Sequence, residues 1–315
     1  MKIVFLDAKT IGEDIDLSGY DTLGEVIKYD FSTSEEVPER VKDADILVLN
    51  KVQINENTIS TAQRLKLVCV TATGTNNLDK EYLAQRHIAW RNVAGYSTES
   101  VAQHTFAMLF YLLEKLRYYD DYVKEEHYVN DTVFTHFAEH FCQLSGKTWG
   151  IIGLGAIGRR VADIAKAFGA KVIYYSTSGK NNQKDYTRVD LDTLLSSSDV
   201  VSVHAPLTPE TEHLMDAAAF SKMKTSAIFL NVGRGPIVVE QDLALALQRG
   251  EIAAAGLDVL CEEPMSPANP LLSIKDSRKL LITPHIAWAS VEARTRLMDI
   301  ILKQIKDWQK EKQIL

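Results

Sequence analysis

Trp149-Gly150-Ile151-Ile152-Gly153-Leu154-Gly155-Ala156-Ile157-Gly158 is the stretch from which the rest of this 315-residue chain is read. A short apolar run, Trp149 to Leu154, reads as a strand and leads into G-x-G-x-x-G at Gly153, Gly155 and Gly158. A helical stretch, Arg159 to Phe168, follows, then a second strand, Lys171 to Ser176. In that strand–helix–strand setting each glycine has a job. Gly153 allows the tight turn, Gly155 lets the backbone approach a pyrophosphate, and Gly158 lets helix and strand pack closely. The N-terminus of the helix offers free N–H groups and a partial positive charge to phosphates, and Ala156 and Ile157, between the last two glycines, are expected to line the same site. The stretch therefore predicts a dinucleotide site.

In such a unit an acidic residue that binds the ribose is expected about 20 residues past the glycine loop. Here the second strand ends on Ser176, followed by Thr177, Ser178, Gly179 and Lys180. Without a carboxylate a 2′-phosphate meets no like-charge repulsion, and Lys180 is able to pair with it. The residues leave NAD and NADP both open.

Further strands are expected at Val200–His204, Ile228–Val232, Ala255–Val259 and Leu281–Thr283. Amphipathic helical stretches at Leu191–Ser196, Ala217–Met223 and Glu240–Arg249 separate them, which predicts a doubly wound parallel sheet. Three of the strand ends carry chemistry. Asn231-Val232-Gly233-Arg234-Gly235 puts an arginine in a glycine turn. Asp258-Val259-Leu260-Cys261-Glu262-Glu263-Pro264 places acids after a strand, and Thr283-Pro284-His285 ends the last strand on a histidine. Each alone reads equally as a surface arginine, solvated acids or a capping histidine. Together they lie at the edge where a nucleotide binds. Hydride transfer to a 2-keto acid needs a proton donor for the developing alkoxide, a part His285 can take once a carboxylate orients its far nitrogen. It also needs a cation for the carboxylate, and the planar fork of Arg234 suits one. Cys261 reads as structural.

Upstream, residues 1–95 alternate strands (Lys2–Leu6, Asp45–Leu49, Leu65–Val70, Ile88–Asn92) with helices (Ser34–Lys42, Asn57–Gln63, Asp79–Arg86), which predicts a smaller parallel α/β domain. Two of its strand ends look chemical. Lys51, after Asn50, is placed to attract an anion, and the backbone N–H groups of Thr73 and Gly74 can hold a carboxylate. Glu99 to Leu116 reads as a helix apolar on most of its circumference, hence buried between domains or against another subunit, with His104 packed in it. Tyr118 to Ser145 is rich in aromatic residues and reads as a dimer-contact arm. Within it His136-Phe137-Ala138-Glu139-His140 spells H-x-x-E-H, a metalloprotease motif, but nothing supplies a third ligand and no metal is expected.

The net charge of −7, with no long basic run, argues against nucleic acid and anionic membrane as partners. No run approaches membrane-spanning length. The apolar N-terminal run is interrupted at Asp7, too early for a signal peptide. The three cysteines (Cys69, Cys142, Cys261) are scattered without C-x-x-C, which argues against a disulfide framework or a cysteine zinc site. A cytoplasmic enzyme or sensor is expected.

At this point the chain resembles the D-isomer-specific 2-hydroxyacid dehydrogenases over nearly its full length. The matching stretches are residues 74–79, Gly150 to Gly158, His204-Ala205-Pro206-Leu207-Thr208-Pro209-Glu210-Thr211, Asn231 to Gly235, Asp258 to Pro264 and Pro284 to Trp288. The resemblance implies a catalytic Arg234, Glu263 and His285, with Glu263 chosen over Glu262 because the family's acid directly precedes the proline. It implies that Thr73 and Gly74 bind the substrate carboxylate, beside Asn50, Lys51 and Trp288. Asp258 would reach the nicotinamide carboxamide, and the loops with His204, Ala205, Pro206, Thr211, Val232 and Gly233 would line the cofactor. It implies two doubly wound domains. The smaller, flavodoxin-like substrate domain would comprise residues 1–95 and 288–315, including a C-terminal helix from Val291 to Lys312. The larger, a Rossmann domain, would comprise residues 96–287, with residues 96–148 forming the dimerisation helix and arm of a homodimer. Asn50-Lys51, residues 92–98 and His285-Ile286-Ala287-Trp288 look most like the glycerate dehydrogenases, or hydroxypyruvate reductases, within the family. Ser176 departs from the family's common Asp. The expected substrate is thus a small 2-keto or 2-hydroxy acid. The alternatives are a bulkier 2-keto acid and a nucleotide-sensing corepressor that keeps the fold.

Overall fold

The computed structural model describes residues 1–311; the ends of the expected C-terminal helix, at Lys312, and of the expected substrate domain, at 315, lie outside them. The chain forms two compact units. One comprises Met1–Ser97 with the chain from Ala289 onward, the other Thr98–Trp288, so both changeovers fall slightly later than after residues 95 and 287.

The first unit holds a parallel sheet of β1 (Lys2–Phe5), β2 (Glu25–Lys28), β3 (Ile46–Leu49), β4 (Leu67–Val70) and β5 (Ala89–Arg91), in the order β2-β1-β3-β4-β5. β3 and β4 are buried at every residue, which explains why they read as unbroken apolar runs. β2 was not expected. It is an edge strand whose residues are only half-buried or exposed, so its sequence carries little apolar signal. The helix Val291–Glu311 closes this unit, burying Leu297, Ile301 and Ile305. Its Arg294 pairs with Asp14, and its Met298 carbonyl accepts the Tyr20 hydroxyl at 2.7 Å.

The second unit holds β6 (Thr148–Ile152), β7 (Lys171–Tyr175), β8 (Thr187–Arg188), β9 (Val200–Val203), β10 (Ile228–Asn231), β11 (Ala254–Leu257) and β12 (Leu280–Ile282). All pairings are parallel, in the order β12-β11-β10-β9-β6-β7-β8. The two-residue edge strand β8 was also not expected. Alternate residues of each central strand enter opposite cores. Val201, Val203, Phe229 and Leu257 pack with Phe220, Leu243 and Leu247. Val200, Ile228, Leu230 and Trp149 pack on the other face with Val101, Leu109 and Val161. The helix Thr98–Leu113 lies so close to β11 that a Cβ at Gly256 would fall 3.1 Å from Met108 Cε.

That helix stops at Leu113, short of the expected Leu116. Lys115 turns into the left-handed region, φ 54°, and a second helix, Leu116–Lys124, begins. The change of direction leaves Leu116 half-exposed. Among the described residues no helix is long and apolar enough to cross a membrane.

Candidate functional site

The order of the second sheet sets the expected residues in a row. Reading from β12 to β7, the carboxyl ends of consecutive strands lead to His285, to Asp258 and Glu263, to Arg234, to His204, to the glycine turn and to Ser176. β6 lies between β9 and β7, the place where the chain's winding reverses and nucleotides bind in such sheets.

The three glycines differ physically. Gly153 has φ +92°, and a Cβ there would lie 2.8 Å from the backbone nitrogen of Ala205. The turn and the His204–Pro206 loop thus interlock. A Cβ at Gly158 would lie 2.3 Å from the Gly153 carbonyl oxygen, so the helix Ala156–Ala167 presses on the turn it leaves. A Cβ at Gly155 meets nothing within 4 Å. Gly155 and Ala156 are exposed at the helix N-terminus, Ile157 half so, and the first-turn N–H groups have no carbonyl to meet within the helix. An exposed, positively polarised cradle with open space at its middle glycine fits a pyrophosphate. Across the turn, Ser176 is buried and its Oγ accepts the Asn181 N–H at 3.3 Å, while the Asn181 side chain donates to the Leu154 carbonyl at 2.6 Å. Lys180 is exposed on that loop.

His204 is half-buried. Its Nε2 meets Ser202 Oγ at 2.9 Å, and Ser202 Oγ also accepts the Trp149 indole N–H at 2.8 Å. Its Nδ1 is sealed from solvent without a partner among the described residues, and burial pushes the imidazole down to about 3. Thr211 is buried, and its hydroxyl donates to the Pro206 carbonyl at 2.7 Å, so it shapes this loop from within. Val232 is buried beside Gly233.

Arg234 is held by a residue the sequence reading did not single out. Asn231, fully buried, accepts the Gly233 N–H at 3.0 Å and donates to the Arg234 carbonyl at 2.9 Å. A Cβ at Gly235 would fall 1.9 Å from the Leu260 carbonyl oxygen, so this turn abuts the one that carries the acids. In that second turn the cis peptide Glu263–Pro264 follows Cys261, whose N–H donates to Glu240 at 2.8 Å. Burial, then the neighbouring Glu240, pushes the Cys261 thiol up to about 11. It stays a thiol and offers no nucleophile.

The carboxylate that meets His285 is that of Glu263, 2.7 Å from Nδ1, both side chains about a quarter exposed. A carboxylate only accepts, so the shared proton sits on Nδ1 and Nε2 is left to give or take another. Glu263 Oε1 also accepts the Leu260 N–H at 3.1 Å. Asp258 is 2 % exposed and accepts the N–H groups of Ile286 and Ala287, each at 2.9 Å. Its carboxylate thus shapes the turn that carries His285. Trp288, half-buried, packs on the core beneath.

In the first unit the N–H groups of Asn50 and Lys51 donate to Asp7 at 2.8–3.0 Å. The Asn77 side chain donates to the carbonyls of Asn50 and Val52. Asp7 is 5 % exposed, and burial raises its carboxyl above the usual range against those N–H bonds. No local pattern signals this clasp, because Asp7 lies just past the end of a different strand, β1. Thr73 is pinned by its hydroxyl to the Val93 carbonyl and by Asn92 to its own carbonyl. Among the described residues the N–H groups of Thr73 and Gly74 meet no acceptor. Two adjacent free donors make a seat for an anion.

The H-x-x-E-H residues form no helix. His136 stacks on Tyr122 and Glu139 pairs with Arg278. Among the described residues no cluster of His, Cys, Asp or Glu is arranged to hold a metal.

A parallel sheet with a glycine turn at its switch point, and with an arginine and a carboxylate-oriented histidine on the same edge, defines a nicotinamide-nucleotide oxidoreductase. Residues 106–287 match the family model described as D-isomer specific 2-hydroxyacid dehydrogenase, NAD binding domain. The chain is 39% identical to a hydroxypyruvate reductase of Blautia hydrogenotrophica, over 98% of this chain and 97% of that one. It is 35% identical to a glycerate dehydrogenase of Methylorubrum extorquens, over 97% and 95%. Among solved structures it is similar to an NADPH-dependent glyoxylate/hydroxypyruvate reductase from Sinorhizobium meliloti in complex with NADP and malonate, with a TM-score of 0.81, 26% identity and coverage of 98% and 93%. The chain belongs to the D-isomer-specific 2-hydroxyacid dehydrogenase family. It is an NAD(P)-dependent oxidoreductase acting on a CH–OH group.

Proposed function

We propose that this dehydrogenase reduces hydroxypyruvate to D-glycerate, and glyoxylate to glycolate, with His285 as proton donor. The observation that carries the reading is the 2.7 Å His285–Glu263 bond, one strand away from the Arg234 turn on the nucleotide edge of the sheet. The nicotinamide, when bound, supplies the hydride to C2. Nε2 of His285 gives its proton to the carbonyl oxygen as charge develops there, and Glu263 keeps the ring oriented and offsets the imidazolium. Arg234 binds the substrate through its planar fork, and the N–H groups of Thr73 and Gly74, with Lys51 at the neighbouring strand end of their own sheet, receive the carboxylate. The unit made of Met1–Ser97 and the chain from Ala289 onward serves as the substrate domain, and Thr98–Trp288 as the cofactor domain. The small substrates follow from the whole-length likeness to a hydroxypyruvate reductase and a glycerate dehydrogenase.

NADPH is the preferred cofactor in this reading. Residues 176–184 contain no carboxylate and two lysines, Lys180 and Lys184, so the loop suits a 2′-phosphate. A homodimer is formed through the arm, where Val129, Phe134 and Phe137 are 81%, 87% and 75% exposed. The free cysteines suit the reducing cytoplasm.

The test is His285→Ala. Loss of a positioned general acid should lower kcat by about 10²- to 10⁴-fold while the NADPH dissociation constant stays near wild type. A variant that keeps wild-type kcat with hydroxypyruvate would remove His285 from the chemistry.

A further inference from the structure

We propose that His104 is a positioning residue for His285, acting through Thr283 and Asp258; the proposal rests on the reading of His285 as proton donor. His285 sits in the left-handed region, φ 55°, which a residue with a side chain holds only when its neighbours fix it. Those neighbours hang on one acid. The His285 N–H donates to the Asp258 carbonyl at 2.8 Å. The Asp258 side chain, 1 % exposed, accepts the Thr283 hydroxyl at 2.7 Å and the Ile286 and Ala287 N–H groups at 2.9 Å.

The proton count then fixes what His104 does. Thr283 has one hydroxyl proton and gives it to Asp258. Its oxygen therefore accepts at its other contact, 3.0 Å from His104 Nε2. Nε2 of His104 carries a proton and donates it. The same nitrogen is 3.6 Å from Asp258 Oδ1, so the ring's positive edge faces a buried carboxylate. One helical turn earlier, Ser100 donates to the Ala287 carbonyl at 2.6 Å. Residues 100, 104 and 108 share a face of the helix Thr98–Leu113, and Met108 fills the space beside Gly256 on β11. That face grips the His285 turn on both sides, at 283 and at 287. A histidine that only filled the core would need no hydrogen bond to this loop.

His104→Leu removes the donor and keeps the bulk; His104→Gln restores an N–H at the reach of Nε2. Both are measured as full-length protein with saturating NADPH and the 2-keto acid reduced fastest by wild type, beside His285→Ala. His104→Leu should lower kcat about 10-fold or more, since small misplacements of a catalytic group cost up to about 100-fold, with the NADPH dissociation constant unchanged. His104→Gln should return kcat to within about 3-fold of wild type, because the bond to Thr283 is restored. Wild-type kcat in His104→Leu, or equal losses in both variants, overturns the proposal. If His104→Leu does not fold, Thr283→Val removes the same link isosterically and should show the same kcat loss; wild-type kcat there also overturns it. Activity retained in His285→Ala would instead overturn the underlying reading of the proton donor.

Discussion

The glycine turn makes opposite demands on two of its residues, and alanine separates them. A Cβ at position 158 would lie 2.3 Å from the backbone oxygen of Gly153, and the helix must retreat by at least 0.7 Å to reach 3.0 Å. Overpacking of this kind costs about 1–3 kcal/mol. At roughly 2–4 °C per kcal/mol for a unit of this size, Gly158→Ala should lower Tm by about 2–12 °C. Gly155 has φ −80° and ψ −159°, which alanine adopts freely, and open space where its Cβ would go. The gain from a stiffer unfolded chain, about 0.4–1 kcal/mol, offsets the poorer helix cap that alanine makes. Gly155→Ala should therefore melt within about 2 °C of wild type. Its methyl would stand where a phosphate must approach the amides. Loss of one hydrogen bond to a charged group, about 1.5–3 kcal/mol, weakens nucleotide binding about 10- to 100-fold. Thermal melting without nucleotide and calorimetric titration with NADPH and NADH read both quantities. Destabilisation of Gly155→Ala equal to that of Gly158→Ala, or wild-type nucleotide affinity in Gly155→Ala, would refute the reasoning.

Three further expectations concern other parts of the molecule. Folding holds His204 near 3 against an ordinary 6.5, so only the unfolded chain takes its proton between those values. Stability is unaffected above pH 6.5 and falls as pH drops towards 3, by about 2 kcal/mol at pH 5; urea unfolding at pH 7 and 5 should show a steeper loss in wild type than in His204→Gln. Ser176→Asp places a carboxylate against the 2′-phosphate and should lower the NADPH-to-NADH ratio of kcat/KM about 10-fold or more, with an unchanged ratio refuting the assignment of this loop. Phe134→Asp with Phe137→Asp should convert the proposed dimer to monomer in light scattering without loss of the fold, since both rings are exposed in the single chain.

The central strands were legible because both their faces are buried and their sequences run apolar without interruption, as in Ile46–Leu49 and Leu67–Val70. The edge strands β2 and β8 were not, because little of either is buried. Arg234, His285 and the acids of residues 258–264 could be picked out from their chemistry, but the choice of Glu263 over Glu262 came from the family resemblance. The parts that hold them could not. Asp7 reaches Asn50 across 43 residues of sequence, and His104 reaches Thr283 across 179. No local period encodes such pairs; they exist only once the sheet has set distant strand ends side by side. His104 read as a packed histidine on an apolar helix, and its hydrogen bond to the His285 turn became visible only with the fold. The helix break at Lys115 has the same origin, since an apolar pattern running to Leu116 gives no sign of where the chain must turn.

The most direct measurement is the reduction of hydroxypyruvate by the purified protein with NADPH and with NADH, following cofactor oxidation and the configuration of the product. The account predicts one D-glycerate for each nicotinamide oxidised, with NADPH the better donor. A protein that binds the nucleotide yet leaves hydroxypyruvate, glyoxylate, pyruvate and a branched 2-keto acid unreduced, or that yields L-glycerate, would contradict it.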